Sequence, residues 1–290
     1  MQMVSQEQSA FGNEVRSGLD TDALPAYAPM LSAFHRACAG PLQALVNDLP
    51  LQLGARVLDM ACGDGVYSVW LAERVGSSGQ VVGVDIAPAY LEVARRHANT
   101  TPFAANIELQ IGDIAGLPFA DDEFDLAWCA HSLYSLPDPI TALRELRRVV
   151  RPGGTVAILE NDTLHHMLLP WPAELELAVR QAQLDALRES SRATGKFYIG
   201  RNLCGAFKMA ELHTCHVRTR TIDHHAPLSD DERLYLDSYL RDVAERSGPY
   251  LEAEARASFD MLLDPQSPLY LLDQPDFFAS QLEIVAWGMK

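Results

Sequence analysis

The chain has 290 residues, 48% of them hydrophobic and 21% charged, enough apolar material for one large domain or a domain carrying a lid. Its formal net charge of −16 sets most of the surface against a polyanion, which excludes nucleic acid as an expected partner. No apolar run approaches the roughly 18 residues of a membrane span, and Met1 to Gln8 lack the basic and apolar regions of a secretory leader. Five scattered cysteines (Cys38, Cys62, Cys129, Cys204 and Cys215) show neither metal-binding nor disulfide spacing, so reduced thiols in a cytoplasm are expected.

The first residues are polar, with Gly12 and Gly18, and predict an arm. From Pro29 to Leu49 apolar residues recur at helical spacing, and Gly40-Pro41 should divide that stretch into two helices. Alternation then begins. Ala55–Met60 reads as a buried strand, Val66–Val75 as a helix, Val81–Asp85 as a second strand and Pro88–His97 as a second helix with proline in its first turn. Ile107–Ile111 and Phe124–Cys129 are the third and fourth strands. Pro139–Val150 is a helix, followed by an Arg151-Pro152-Gly153-Gly154 turn and a fifth strand, Thr155–Leu159. Beyond Glu160 come a long helix (Pro170–Ser190), a shorter one (Leu203–Leu212), a sixth strand (Val217–Ile222), a helical stretch (Ser229–Leu263) and an alternating last strand, Phe278–Trp287. This order predicts an α/β fold with a mostly parallel sheet and helices on both faces. It divides the chain into an N-terminal arm (1–28), a core (29–162), a helical lid insert (163–200), a core continuation with a helix and the sixth strand (201–228), a second helical insert (229–274) and the last core strand (275–290).

Ligands of open α/β sheets bind beyond the carboxyl ends of the strands, where strand order reverses. The first such end is Val57-Leu58-Asp59-Met60-Ala61-Cys62-Gly63-Asp64-Gly65, whose two glycines let the backbone turn sharply and approach a ligand. The third glycine of a dinucleotide fingerprint is absent, Ser68 standing there, which argues against a nicotinamide-dependent oxidoreductase. The second end is Asp85, twenty positions after Gly65, suited to accept from both hydroxyls of a ribose or to cap the helix after Ile86-Ala87-Pro88. The third, Gly112-Asp113-Ile114, offers a carboxylate to an exocyclic amine and an apolar face to a purine. The fourth is Cys129-Ala130-His131-Ser132-Leu133-Tyr134.

Together these stretches resemble the class I S-adenosylmethionine (SAM) dependent methyltransferases, in their ubiquinone/menaquinone-biosynthesis-like branch. Further matching runs are Ala115-Gly116-Leu117-Pro118-Phe119, Asp122-Glu123-Phe124-Asp125 and Leu146-Arg147-Arg148-Val149-Val150-Arg151-Pro152-Gly153-Gly154; the whole set spans about Gly54 to Leu159, slightly over a third of the chain. The resemblance implies a Rossmann-like seven-stranded sheet, mostly parallel with the last strand antiparallel, under a helical lid. It implies SAM as cofactor and S-adenosylhomocysteine as its product. Ala61, Gly63 and Gly65 would wrap the methionine part, with Asp59 near its amino group. Asp85 would hold the ribose, Ile86 would pack on the adenine, and Asp113 and Ile114 would read the adenine edge. Cys129 and Ala130 would offer carbonyls near the sulfonium.

The expected activity is transfer of a methyl group to O, C or N of a small, fairly apolar molecule; the alternative is an enzyme of the same fold using SAM for cyclisation or elimination. A base is required only where the acceptor loses a proton. Candidates are His131 with Tyr134, and His165 and His166 after the fifth strand, each weighed against a plain loop imidazole; His224 and His225 read as surface residues. No metal is expected, because Glu160-Asn161-Asp162 supplies only half a ligand set. Cys204 and Cys215 read as core packing. The inserts hold Trp171, Phe197, Tyr198, Tyr235, Tyr239, Tyr250, Phe259 and Tyr270, some of which should wall the acceptor pocket.

Overall fold

The structure, a computed structural model, describes residues 23–190 and 198–290. The predicted arm up to residue 22, and Phe197 of the lid, lie outside the described residues.

Strand β1 (Arg56–Met60) is almost wholly buried and pairs in parallel with β2 (Gln80–Asp85) on one side and β4 (Phe124–Ala130) on the other. β3 (Ile107–Ile111) extends the sheet beyond β2, and β5 (Val150–Glu160) extends it beyond β4, again in parallel. The near-continuous apolar runs of β1, β2 and β4 follow from this, since helices cover both faces. β8 (Phe278–Met289) runs antiparallel beside β5, and β7 (His213–His225) runs antiparallel beside β8. The expected seven strands are therefore present in the order β3-β2-β1-β4-β5-β8-β7. A two-residue strand, β6 (Met167–Leu168), adds an eighth among the described residues by pairing with the start of β8.

Of the sequence boundaries that differ, four bear on the fold. The first two helices are α1 (Ala28–Ala37) and α2 (Ala39–Asn47), so the break falls at Cys38. Gly40-Pro41 lies instead in the first turn of α2, where proline forfeits no intrahelical hydrogen bond. The predicted Arg151–Gly154 turn lies inside β5. Phe124 faces Val150 and Leu126 faces Thr155, so those four residues bulge from the ladder, while Gly153 and Gly154 exchange backbone hydrogen bonds with Lys290 at the end of β8. β7 is twice as long as predicted, because it is an edge strand with a mostly exposed surface and shows little apolar alternation to read. The helix predicted from Leu203 starts earlier, α7 being Ile199–Met209 after α6 (Ala173–Ser190). Gly200 lies inside α7 because a Cβ there would sit 3.0 Å from the Asn161 backbone.

The remaining helices are α3 (Val66–Val75), α4 (Pro88–Ala98), α5 (Pro139–Val149), α8 (Asp230–Ser247) and α9 (Ala253–Leu263). One face of the sheet packs Leu42, Leu45 and Leu71 against Trp128 and Leu159. The other packs Leu143, Leu146, Leu203 and Phe207 against Leu58 and Ile158. Each fully buried leucine contributes about 1.5–3 kcal/mol. α6, α8 and α9 form a third cluster of their own through Leu175, Val179, Val243 and Phe259. A capping box of Ser229 and Glu232 starts α8, which packs along α1. α1 in turn touches the loops after β1 and β4, where His35 bonds Asp64 and Phe34 lies against His131.

Candidate cofactor and acceptor site

Strand order reverses between β1 and β4, so the chain leaves their carboxyl ends in opposite directions and opens a crevice there. The turn after β1 enters it with three left-handed residues, Ala61 (φ 57°), Gly63 (φ 53°) and Gly65 (φ 78°), before α3 begins. The two glycines serve different ends. A Cβ on Gly65 would lie 2.8 Å from Cβ of Ala94 and 3.0 Å from its Cα, so this position lets α4 pack against the turn. A Cβ on Gly63 would meet nothing nearer than Leu31 at 4.0 Å, which leaves its backbone open to a ligand.

Asp85 ends β2 and is buried; its carboxylate accepts 2.9 Å hydrogen bonds from the N–H groups of Gly63 and Ala87. It ties the glycine turn to the start of α4 and still keeps acceptor capacity, since a carboxylate has about four lone-pair sites. Burial pushes its pKa up, against the pull of those N–H groups. Asp113 accepts from Ala115 N–H at 2.9 Å, beside the buried Ile114, and Ile86 is half-buried. Asp59 points into the core under the turn, accepts from the Ser68 hydroxyl at 2.5 Å, and is pushed by burial up to about 7.

That shift has a consequence for stability. A carboxyl whose folded pKa is raised contributes stability in full below its ordinary value near 3.8, and loses it as pH rises toward about 7. Asp59→Asn is therefore expected to melt higher than the parent at pH 8, with the gap closing toward pH 4. Thermal unfolding followed across that range checks it; a gap independent of pH would show that Asp59 is ionised at low cost in the fold.

At the end of β4, Cys129 is buried and Ala130 half-buried. His131 follows with φ 48°, its N–H donating to the Leu159 carbonyl at 2.8 Å. Its Nε2 meets Glu283 Oε2 at 2.8 Å. Glu283, on β8, is fully buried, and its other oxygen accepts from Gln281 (3.1 Å) and Asn161 (3.4 Å). Burial alone would lower the imidazole pKa and raise the carboxyl pKa; their mutual attraction reverses both, so His131 is more basic and Glu283 more acidic than usual. Glu160, also buried, accepts from Leu133 N–H at 2.7 Å and is pushed by burial up to about 7. Phe34 of α1 lies edge-on to His131, with ring centres 5.6 Å apart, and Tyr235 of α8 packs behind Phe34 at 5.2 Å.

The other candidates divide. His166 is buried, bonds the Thr163 carbonyl at 3.2 Å and lies edge-on to Tyr239, with its pKa lowered by burial. Tyr134 packs near Leu164 and Leu187, its hydroxyl pushed by burial up to about 12. His165 is exposed, bonded to Arg180 and packed on Tyr198. His224, read as a surface residue, is instead 1% exposed and bonds Glu232 and Gln281, because the inner face of β7 there lies under α8. Cys204 and Cys215, read as core packing, lie in contact with one another, Cys204 exposed and Cys215 half-buried. Among the described residues no group of three or more His, Cys, Asp or Glu side chains could hold a metal ion, and no helix is long and apolar enough to cross a membrane.

Sequence reasoning missed Glu283, and weighed Glu160 only as half of a metal-ligand set. An acidic residue inside an alternating apolar strand, as in Gln281-Leu282-Glu283-Ile284-Val285, was the available signal for the first. His35 was also missed; it bonds Asp64 at 3.0 Å and seats α1 on the glycine turn.

The methyltransferase domain family matches residues 51–214, over half of the chain and the whole stretch from β1 to the start of β7. The chain belongs to that family. Within it, the chain is similar to the 2-phytyl-1,4-naphtoquinone methyltransferase of Synechococcus elongatus, 47% identical over 116 residues that cover 40% of this chain and 50% of the relative. It is also similar to the demethylmenaquinone methyltransferase of Staphylococcus epidermidis, 39% identical over 118 residues, covering 41% of this chain and 48% of the relative. The chain spans about half the length of the curated relatives it matches. Among solved structures the YcgJ protein of Bacillus subtilis shares the fold, with a TM-score of 0.55 at 18% identity, covering 87% of this chain and 98% of that one.

Proposed function

We propose that this methyltransferase-family chain moves a methyl group from SAM to a small, fairly apolar acceptor whose reacting oxygen, carbon or nitrogen must shed a proton. Bound at this site, SAM supplies a methyl group already activated on a sulfonium, so the residues need only align the acceptor and accept its proton. In-line alignment is worth about 7–11 kcal/mol. The site fits the cofactor on two counts: the open space above Gly63, and the spare acceptor capacity of Asp85 two strands' width away from His131.

In this reading Ala61, Gly63 and Gly65 wrap the methionine part and Asp59 lies behind its amino group. Asp85 accepts from the ribose, Ile86 and Ile114 flank the adenine, and Asp113 accepts from its edge. The carbonyls of Cys129 and Ala130 face the sulfonium. His131 takes the acceptor's proton, with Glu283 fixing the ring through Nε2 so that Nδ1 is the exchanging atom. Phe34, Tyr235, Tyr239 and His166 wall the acceptor side, and Tyr134 is a second polar group there. His165, exposed and engaged by Arg180, is given no part. The relatives' printed names concern naphthoquinones and menaquinone precursors, and the reduced forms of such rings are phenols, which are acceptors of the class proposed. The pair of half-buried His131 and fully buried Glu283 at the end of β4 carries the proposal. The compartment proposed is the cytoplasm, consistent with free Cys38, Cys62 and Cys129 in the core.

The direct test is mass spectrometry of hydroquinones and phenols, then a metabolite extract, incubated with the protein and methyl-deuterated SAM. A labelled product supports the proposal. Tight S-adenosylhomocysteine binding with no label moved in any acceptor would favour the non-methylating use of SAM. For the cofactor half, Asp85→Ala is expected to weaken S-adenosylhomocysteine by about 10²-fold, because hydrogen bonds to a charged group are worth about 1.5–3 kcal/mol each. Unchanged affinity by calorimetry would remove Asp85 from the ribose role.

A further inference from the structure

Away from this site, two thiols meet on the far edge of the sheet. Cys204 in α7 and Cys215 in β7 bring their sulfurs to 2.6 Å, whereas Cys38, Cys62 and Cys129 are each buried. Both partners are firmly placed. α7 is anchored by Leu203, Ala206 and Phe207 in the core. β7 is laddered to β8 from His216 onward, and its register shifts between His213 and His216. Thr214 is left-handed there (φ 52°), so Cys215 sits in a bulge, a device that re-aims a side chain off the ladder. The bulge turns Cys215 toward α7 where a regular strand would hold it in register with β8.

We propose that Cys204 and Cys215 form a reversible intramolecular disulfide by exchange with a small disulfide such as oxidised glutathione. Cys204, exposed, is the thiol that meets the reagent: its thiolate attacks one glutathione sulfur, the glutathione disulfide bond breaks, and one glutathione thiolate leaves. Cys215 then passes its proton outward and attacks the Cys204 sulfur, expelling the second glutathione. The chain's two thiols are oxidised by two electrons, and one glutathione disulfide is reduced to two thiols that carry the two protons. The order follows from exposure, and burial together with its neighbour pushes the Cys215 thiol up to about 12, so it reacts only with a sulfur already in contact. The bond would join α7 to β7. The first turn of α7 rests on the end of β5, through Gly200 against Asn161 and Arg201 on Asp162, so the link fixes the helix that closes that end of the fold.

The full chain is incubated under native conditions with oxidised glutathione, quenched in acid, denatured, alkylated and mapped by mass spectrometry. The expected result is loss of alkylation at Cys204 and Cys215 alone, no retained glutathione, and full recovery with dithiothreitol. Cys215→Ser should trap one glutathione on Cys204, and Cys204→Ser should leave Cys215 free over the same time. A parent chain that keeps glutathione on Cys204, or keeps both thiols alkylatable, overturns the proposal. No arm of the experiment depends on methyl transfer.

Discussion

Gly65→Val is expected to lower the melting temperature by roughly 10 °C, while Gly63→Val melts within a few degrees of the parent and loses nearly all affinity for S-adenosylhomocysteine. Both positions have positive φ, so any side chain there costs about 1–2 kcal/mol. What separates them is their surroundings. At Gly65 the new Cβ must displace Cα and Cβ of Ala94, which are part of α4 and cannot rotate away. Overpacking of that kind costs about 1–3 kcal/mol more, and each kcal/mol moves the melting temperature by about 2–4 °C in a domain of this size. At Gly63 the nearest atom is the end of Leu31, a flexible side chain 4.0 Å away, so the fold absorbs the change. The space that valine fills is then the space assigned to the methionine part of the cofactor. Circular dichroism and calorimetry on the two variants separate the roles. A Gly63→Val protein that binds like the parent would place the cofactor elsewhere, and a Gly65→Val protein of unchanged stability would mean that α4 does not bear on the turn.

The contrast shows what the sequence could and could not convey. The spacing of Gly63, Gly65, Asp85 and Asp113 relative to apolar strand runs was legible, because strands buried on both faces leave long unbroken hydrophobic stretches. Val66–Val75 and Ile107–Ile111 match the structure residue for residue. That one glycine serves packing and the other serves access was not legible, since it depends on Ala94, twenty-nine residues further on. The acceptor side was the least legible. Glu283 reaches His131 across 152 residues of sequence, and His224 is buried only because α8 folds back over β7. An edge strand such as β7 carries little apolar rhythm, so its length and the placing of Cys215 and His224 follow from tertiary pairing alone. α6 was found by the one-face recurrence of its apolar residues and Ser229–Leu263 only as a helical stretch, while the packing of α8 on α1, through Phe34, Tyr235 and the Arg36–Asp231 pair, had no sequence signature.

His131→Ala is expected to lower kcat by about 10²- to 10⁴-fold, the usual worth of a general base, while changing S-adenosylhomocysteine affinity by no more than about threefold. The same assignment fixes a pH profile. A base acts in its neutral form, and Glu283 and Glu160 both hold His131 above its ordinary value of 6.5, so the rate should rise with pH along a limb centred above 6.5. Stability runs the other way. The imidazole's share of the pair is complete below about 6.5 and is lost as pH rises through the raised value, while the carboxyl's share is lost only as pH falls through the lowered pKa of Glu283. Glu283→Gln keeps the shape and removes both the charge and the ionic hydrogen bond, so it should move the limb to lower pH and reduce the plateau, since a less basic imidazole is a weaker base. Glu160→Gln keeps an acceptor for the Leu133 N–H and removes a charge that Glu160, pushed up to about 7, carries in full only above that pH, so it should move the limb less. A structural His131 would predict something different: Glu283→Gln would destabilise the chain and leave the limb in place. If the limb stays fixed in both glutamine variants while kcat is retained in His131→Ala, the proton leaves by another route, and the His131–Glu283 pair serves to brace β4 against β8.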